Sequence, residues 1–157
     1  MKSFASILAL FTFAVMGCAH SAPPSENVVS PSTLNAHPEN YDGHEVLVKG
    51  FVTLAPGGHS LYESDKLKAE FDRRWDTDDT FDPNNYLKYC LTIANPDVLY
   101  NHRDAFNGKT ISVKGKFIDD YLDGRIDLGA CPLSTAIILD EDDLKRRYPA
   151  YFSGKSK

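Results

Sequence analysis

The stretch Tyr41-Asp42-Gly43-His44-Glu45-Val46-Leu47-Val48-Lys49-Gly50-Phe51-Val52 limits what this chain can fold into more than any other, because it recurs. Shifted by 65 positions it reads Phe106-Asn107-Gly108-Lys109-Thr110-Ile111-Ser112-Val113-Lys114-Gly115-Lys116-Phe117. Each copy has an Asp-Gly or Asn-Gly turn, alternating apolar residues and a Lys-Gly pair. Val46, Val48 and Val52 share a face in the first copy; Ile111, Val113 and Phe117 share one in the second. A period of two marks a half-buried β-strand. Glycine within a strand removes a side chain and permits the bend that barrel closure needs. The echo is too short for a duplicated domain. It predicts two strands that solve one structural problem in a single small β-barrel.

The chain has 157 residues, 42% of them apolar, which suits one domain with a real core. Its formal net charge of −5 argues against a non-specific binder of phosphate backbones, which needs a basic stripe to release counterions.

Residues 1–17 read as a signal peptide. Lys2 supplies a positive start, and the apolar run from Phe4 to Met16 is too short to span a bilayer as a mature helix. The run ends in Val15-Met16-Gly17-Cys18, which resembles a bacterial lipobox, where the cysteine is acylated and becomes the mature N-terminus. Lipidation at Cys18 is therefore expected; the alternative is a secretory leader cut after Ala19 or Ala22. Two or three acyl chains hold a soluble domain on a membrane far better than one. Ala19 follows the cysteine where an aspartate would retain the protein at the inner membrane. By resemblance to the enterobacterial sorting rule, the address is the periplasmic face of the outer membrane. Residues 18–29 are Ser/Pro-rich and read as a tether. Residues 30–150 form the domain, and 151–157 a C-terminal tail.

Within the domain, Ser30-Pro31 is an N-cap followed by proline at the first helical position. A first strand is expected from Glu45 to Leu54, with a hairpin through Ala55-Pro56-Gly57-Gly58 into Ser60-Leu61-Tyr62. Leu67, Phe71 and Trp75 are spaced by four, as on an amphipathic helix over Ser64 to Trp75. Asp76 to Asn85 is an acidic loop. Leu87, Tyr89, Leu91 and Ile93 alternate as a third strand. Asn95-Pro96 repeats the cap-plus-proline device and opens a helix that Asn107-Gly108 closes. A fourth strand covers Thr110 to Ile118. A fifth is expected at Arg125 to Leu128, continued by Ala136 to Leu139. Asp140 to Tyr148, with acids first and bases last, suits a terminal helix.

Three strands, a helix and two strands (β-β-β-α-β-β) is the connectivity of the OB-fold, a five-stranded Greek-key barrel. The fold class is thus mainly β with short helices, carrying a helical insertion at 64–86 between barrel strands two and three. First and fourth strands are neighbours in such a barrel, which accounts for the twin motif. Over residues 40–139 the chain also resembles the exported bacterial OB-fold proteins grouped as tRNA-anticodon-binding-like. The resemblance rests on the strand entered through Tyr-Asp-Gly and carrying Val-Lys-Gly, the intervening helix, and the Asn-Gly…Val-Lys-Gly strand. It implies the fold and names no ligand.

Few residues point to chemistry. With Cys18 lipidated, Cys90 and Cys131 remain, and in an oxidising compartment two thiols on adjacent strands predict a disulfide. Closing a loop of about 40 residues stabilises by roughly 4 kcal/mol on the chain-entropy model. The five histidines lack metal-ligand spacing. His44 and His59 read as surface residues and His102 as a packing residue. Asp76, Asp78, Asp82 and Asn84 imitate the start of a calcium loop, but Phe81 and Leu87 stand where glycine and glutamate are required. No cofactor or metal is called for. The carboxylates near Asp119-Asp120 and Asp140 to Asp143 show no sign of the desolvation a general acid needs, and an enzyme is not expected.

Binding is expected instead. The barrel face and its framing loops offer His59, Tyr62, Tyr89, Tyr121 and Arg125; the insertion adds Phe71, Arg73, Arg74, Trp75 and Tyr86. Aromatics interleaved with arginine stack on bases or sugars, or anchor a protein interface. Alternatively, Phe71 and Trp75 only seal the insertion onto the barrel. The chain therefore reads as a lipid-anchored periplasmic module that binds a protein or envelope component, for instance as an immunity or inhibitor lipoprotein. Its rivals are single-stranded nucleic acid or oligosaccharide in the barrel groove, nucleic acid being disfavoured by charge, and an envelope enzyme with an unrecognised site.

Overall fold

The computed structural model describes residues 27–55, 58–129 and 131–153. The expected signal peptide, Cys18 and most of the tether lie outside them. The strands are β1 (Val28–Val29), β2 (Glu45–Thr53), β3 (Ser60–Tyr62), β4 (Cys90–Ile93), β5 (Thr110–Ile118) and β6 (Ala136–Leu139). They run in the order β1-β2-β3-β4-β6-β5, and β5 pairs back onto β2. Strands β2 to β6 therefore close a five-stranded barrel, parallel only between β4 and β6. This is an OB-type barrel, with α2 (Asp65–Thr77) inserted between its second and third strands.

The twin motif is a symmetric antiparallel pair. Val48 and Val113, equivalent positions in the two copies, lie directly opposite each other in the β2–β5 register. Everything around them is reciprocal. Gly43 donates to the Phe117 carbonyl and Gly108 to the Val52 carbonyl; Phe117 N–H returns to His44 and Val52 N–H to Lys109. Even the turn side chains match: Asp42 Oδ1 accepts from Asp119 N–H at 3.1 Å, and Asn107 Oδ1 from Leu54 N–H at 2.8 Å. Gly43 and Gly108 both sit at φ +74°, a left-handed turn that glycine adopts without strain. The same twelve-residue pattern serves twice because a two-fold axis runs between the valines.

The core is filled by the alternate residues the pattern marks, among them Val48, Val52, Leu61, Leu91, Ile93, Val113, Phe117 and Ile137. Short helices close the ends. In α1 (Pro31–Ala36), capped by Ser30, Leu34 is fully buried. In α4 (Arg103–Phe106), Phe106 is fully buried and its ring meets Tyr148, Tyr151 and Phe152. Asp140 caps α5 (Glu141–Arg147), whose Asp143 is fully buried between Arg146 and Arg147. Burying a carboxylate is costly unless partners such as these satisfy its oxygens. Desolvation at 140–143, unexpected from sequence, is thus met by structural ion pairs.

Five expectations need correction. The third barrel strand begins at Cys90, because Asp82 caps a 3-10 helix over Pro83–Tyr89 that takes in Leu87 and Tyr89. Arg125 to Leu128 is no strand: Ile126 and Leu128 are 87% and 89% exposed, and both edges of β6 are already taken by β4 and β5. Asn95 caps no helix; its amide pairs with the Leu139 backbone in both directions, and the helix divides into α3 (Asp97–Tyr100) and α4. The tether stops short of Val28–Val29, which pair in parallel with Leu47 and Val48 of β2. The tail starts later than residue 151, since Tyr151 and Phe152 belong to α6 (Pro149–Phe152) and pack on Phe106.

Candidate functional site

The outward residues of β2, β3 and β4 fall into two cross-strand rows, Phe51–Tyr62–Cys90 and Thr53–Ser60–Thr92. Cys90 is joined to Cys131, with Cα atoms 5.8 Å apart. The bridge forms as expected, except that Cys131 lies in the loop before β6. Cys131 N–H donates to Thr92 Oγ1 at 2.9 Å, so the loop covers the Thr92 end of the second row. What stays open is a groove of about 430 Å³ bordered by Phe51, Thr53, Tyr62, Asn107 and the disulfide. Lys68 and Asp72 stand on its rim, paired to each other at 2.5 Å.

Those two residues come from α2. Ser64 caps the helix through its hydroxyl, and Asp65 in the first turn suits the dipole. Lys68 Nζ sits 5.3 Å from the centre of the Tyr62 ring. Burial, aided by the nearby Asp72 charge, pushes the Tyr62 hydroxyl up to about 12. The insertion thus roofs one aromatic of the barrel face. It rests on its own small cluster: Phe71 meets Trp75, Phe81 and Tyr86, and Tyr86 meets Tyr89. Arg74 belongs to this scaffold, bonding Asp78 and Tyr86 and lying 4.9 Å from the Phe81 ring. The Thr80 hydroxyl, then Arg74, hold the Asp78 carboxyl below its usual range. No residue of α2 is fully buried. Arg73 is exposed, and Trp75 is 62% exposed while stacked on Phe71 at 5.8 Å.

At the other end of the groove, the loop after β2 meets the loop before β6. His59 Nε2 and Tyr121 Oη each lie 3.2 Å from Asp127 Oδ2, and Gly129 N–H donates to Oδ1 at 2.9 Å. His59 is therefore no surface residue. Its side chain is 13% exposed, and its Nδ1 lies against Gly129, where a Cβ would come within 2.5 Å. With Nε2 facing Asp127 and the ring packed on Gly129, the trio clasps the two loops together. Burial alone would raise the Asp127 carboxyl, but the Gly129 N–H, His59 and Tyr121 hold it below its ordinary value. Burial, with Asp127 beside it, raises the Tyr121 hydroxyl. Arg125 bonds the Leu122 and Tyr121 carbonyls.

The expected binding residues thus divide in two. Phe71, Arg74, Trp75, Tyr86 and Tyr89 gather on the insertion, with Tyr62 beneath it; His59, Tyr121 and Arg125 gather on the loops. Sequence reasoning passed over Asp127, which organises the second group, and Lys68 and Asp72, which join the insertion to the groove. An Asp two residues before a Gly is an Asx-turn signal that could have found Asp127. His44 is exposed, while the His102 ring packs 4.5 Å from that of Phe152. Of the calcium-like acids, Asp78 is bound to Arg74 and Asp82 caps the 3-10 helix. Among the described residues no cluster of His, Cys, Asp or Glu could hold a metal, and no helix is long and apolar enough to cross a membrane.

No family model, curated protein or solved structure matches the chain.

Proposed function

We propose that this chain is a non-enzymatic binding module of the bacterial envelope. Its insertion and the adjoining barrel face capture a protein or envelope component, and Cys18 anchors it by lipid to the periplasmic face of the outer membrane. The resemblance to exported OB-fold lipoproteins is part of the same proposal.

The observation that carries it is Trp75. The only tryptophan of the chain lies 62% exposed on a helix with no fully buried residue. Exposed tryptophans backed by packed neighbours are the anchors that dominate interface energies. A second reading, a neutral oligosaccharide in the groove, is supported by Phe51 beside the hydroxyl of Thr53 and the amide of Asn107. Nucleic acid is not favoured there, because Lys68, the only cation bordering the groove among the described residues, is paired with Asp72.

Crosslinking in the native envelope tests the proposal. Trp75→Ala leaves the fold intact and abolishes capture of the partner; unchanged capture would contradict it. Arg74→Ala is the poorer probe, since Arg74 holds the insertion together. Palmitate labelling that survives Cys18→Ala would remove the anchor from the proposal.

A further inference from the structure

We infer that Trp75 receives a basic, arginine- or lysine-bearing segment of a protein partner. The inference rests on the insertion being the contact surface and adds the chemistry of what it contacts.

Three features meet at this point. Phe71, Asp72, Trp75 and Asp76 line one shallow depression on the outer side of α2. The stacked pair offers an aromatic face, and aromatic faces attract guanidinium and ammonium groups. Asp76 beside it is exposed and has no hydrogen bond or ion pair among the described residues. Trp75 also lies in the last turn of the thirteen-residue α2, where the helix carbonyls present the negative end of the dipole.

Nearby cations do not satisfy these groups. Lys68 is held by Asp72 and Arg74 by Asp78. Arg73 is two residues from Trp75, on the opposite side of the helix, and although three residues from Asp76 it makes no ion pair with it. The chain's net charge of −5 works in the same direction. The occupant is a protein segment because the ledge also offers apolar surface: the Trp75 ring is largely exposed and Phe71, stacked against it, is partly so. A small cation would leave that surface wet, and an anionic polymer or lipid surface would be repelled by Asp76.

The sole tryptophan makes the test direct. Emission from Trp75 is followed while the full chain is titrated at low salt with a heptapeptide alternating glycine and arginine. The control is its glutamate counterpart, and anisotropy of the labelled peptide gives the affinity. The arginine peptide shifts the emission saturably and the glutamate peptide does not. Trp75→Ala weakens binding about five- to tenfold. Asp76→Asn weakens it about threefold, and Asp76→Lys abolishes it. Both positions are exposed, so melting temperatures stay within a few degrees of wild type; should Trp75→Ala unfold the insertion, the two Asp76 variants still decide. Equal binding of the two peptides, or full binding by Trp75→Ala or Asp76→Lys, overturns the inference. A silent arginine peptide, combined with envelope capture that depends on Trp75, would refute the basic partner and keep the contact surface. Capture indifferent to Trp75 would refute both.

Discussion

At Gly115, a Cβ would fall on the Ile138 carbonyl oxygen and within 2.8 Å of Ile137 Cγ1. At the equivalent Gly50 the nearest atoms, Leu61 Cβ and the Tyr62 oxygen, stand at 3.0 and 3.1 Å. One motif thus contains two unequal constraints, backbone contact at Gly115 and side-chain contact first at Gly50. Gly115→Ala should cost roughly 3 kcal/mol or more and Gly50→Ala roughly 1 kcal/mol, read from urea midpoints at constant slope. Tyr62 gives a second test. Its hydroxyl keeps its proton to about 12 in the folded chain, whereas an unfolded tyrosine loses it near 10. The folded state then binds more protons between those values, so the stability Tyr62 contributes is complete below pH 10 and lost as pH rises toward 12. Ultraviolet titration should show Tyr62 ionising last, after Tyr121, whose hydroxyl is also raised, and Tyr62→Phe should remove that last step. Asp127 works in the opposite sense. Its depressed carboxyl stabilises the fold above pH ~4, and that stabilisation is lost as pH falls through the lower folded value. The acid limb of the melting-temperature profile should flatten in Asp127→Asn.

Among the elements, the β2–β5 pair was the most legible because its symmetry is written twice. Turn, alternation and Lys-Gly recur, and the structure sets Val48 opposite Val113. Alternation alone misled elsewhere. Leu87 and Tyr89 alternate as in a strand, yet Asp82 and Pro83 start a 3-10 helix, and a local cap outweighs a pattern of four residues. Ile126 and Leu128 also alternate, but a strand needs a free edge and the barrel had none to give. Long-range partners decided the site. Asp127 binds His59 across 68 positions, a separation that no local pattern encodes. The Cys90–Cys131 bridge spans 41 residues and ties the loop before β6 to β4. Replacing both cysteines by serine should cost about 4 kcal/mol on the chain-entropy model, measured by denaturant unfolding with and without reductant. It should also widen the groove, which the bridge borders.

For the molecule as a whole, the barrel is a closed frame, filled by its own side chains and sealed at one end by Phe106 and the C-terminal aromatics. What it presents outward is a loop clasp and an insertion that roofs part of the usual OB binding face. That arrangement moves the exposed aromatic surface from the strands to α2. The proposed anchor fits it: the ten Cα–Cα steps from Cys18 to Val28 reach at most roughly 35 Å, which would keep the domain close to its membrane. The measurement that reaches the central claim most directly is site-resolved photocrosslinking in the envelope. A photoreactive phenylalanine analogue, which keeps an aromatic ring at the contact, is placed at position 75 on the insertion or at position 138, on an exposed side chain of β6. Position 75 should yield a discrete adduct, competed away by excess wild-type protein but not by the Trp75→Ala form, and position 138 should yield none. Adducts from position 138 alone, or competition by both proteins alike, would contradict an interface built on the insertion.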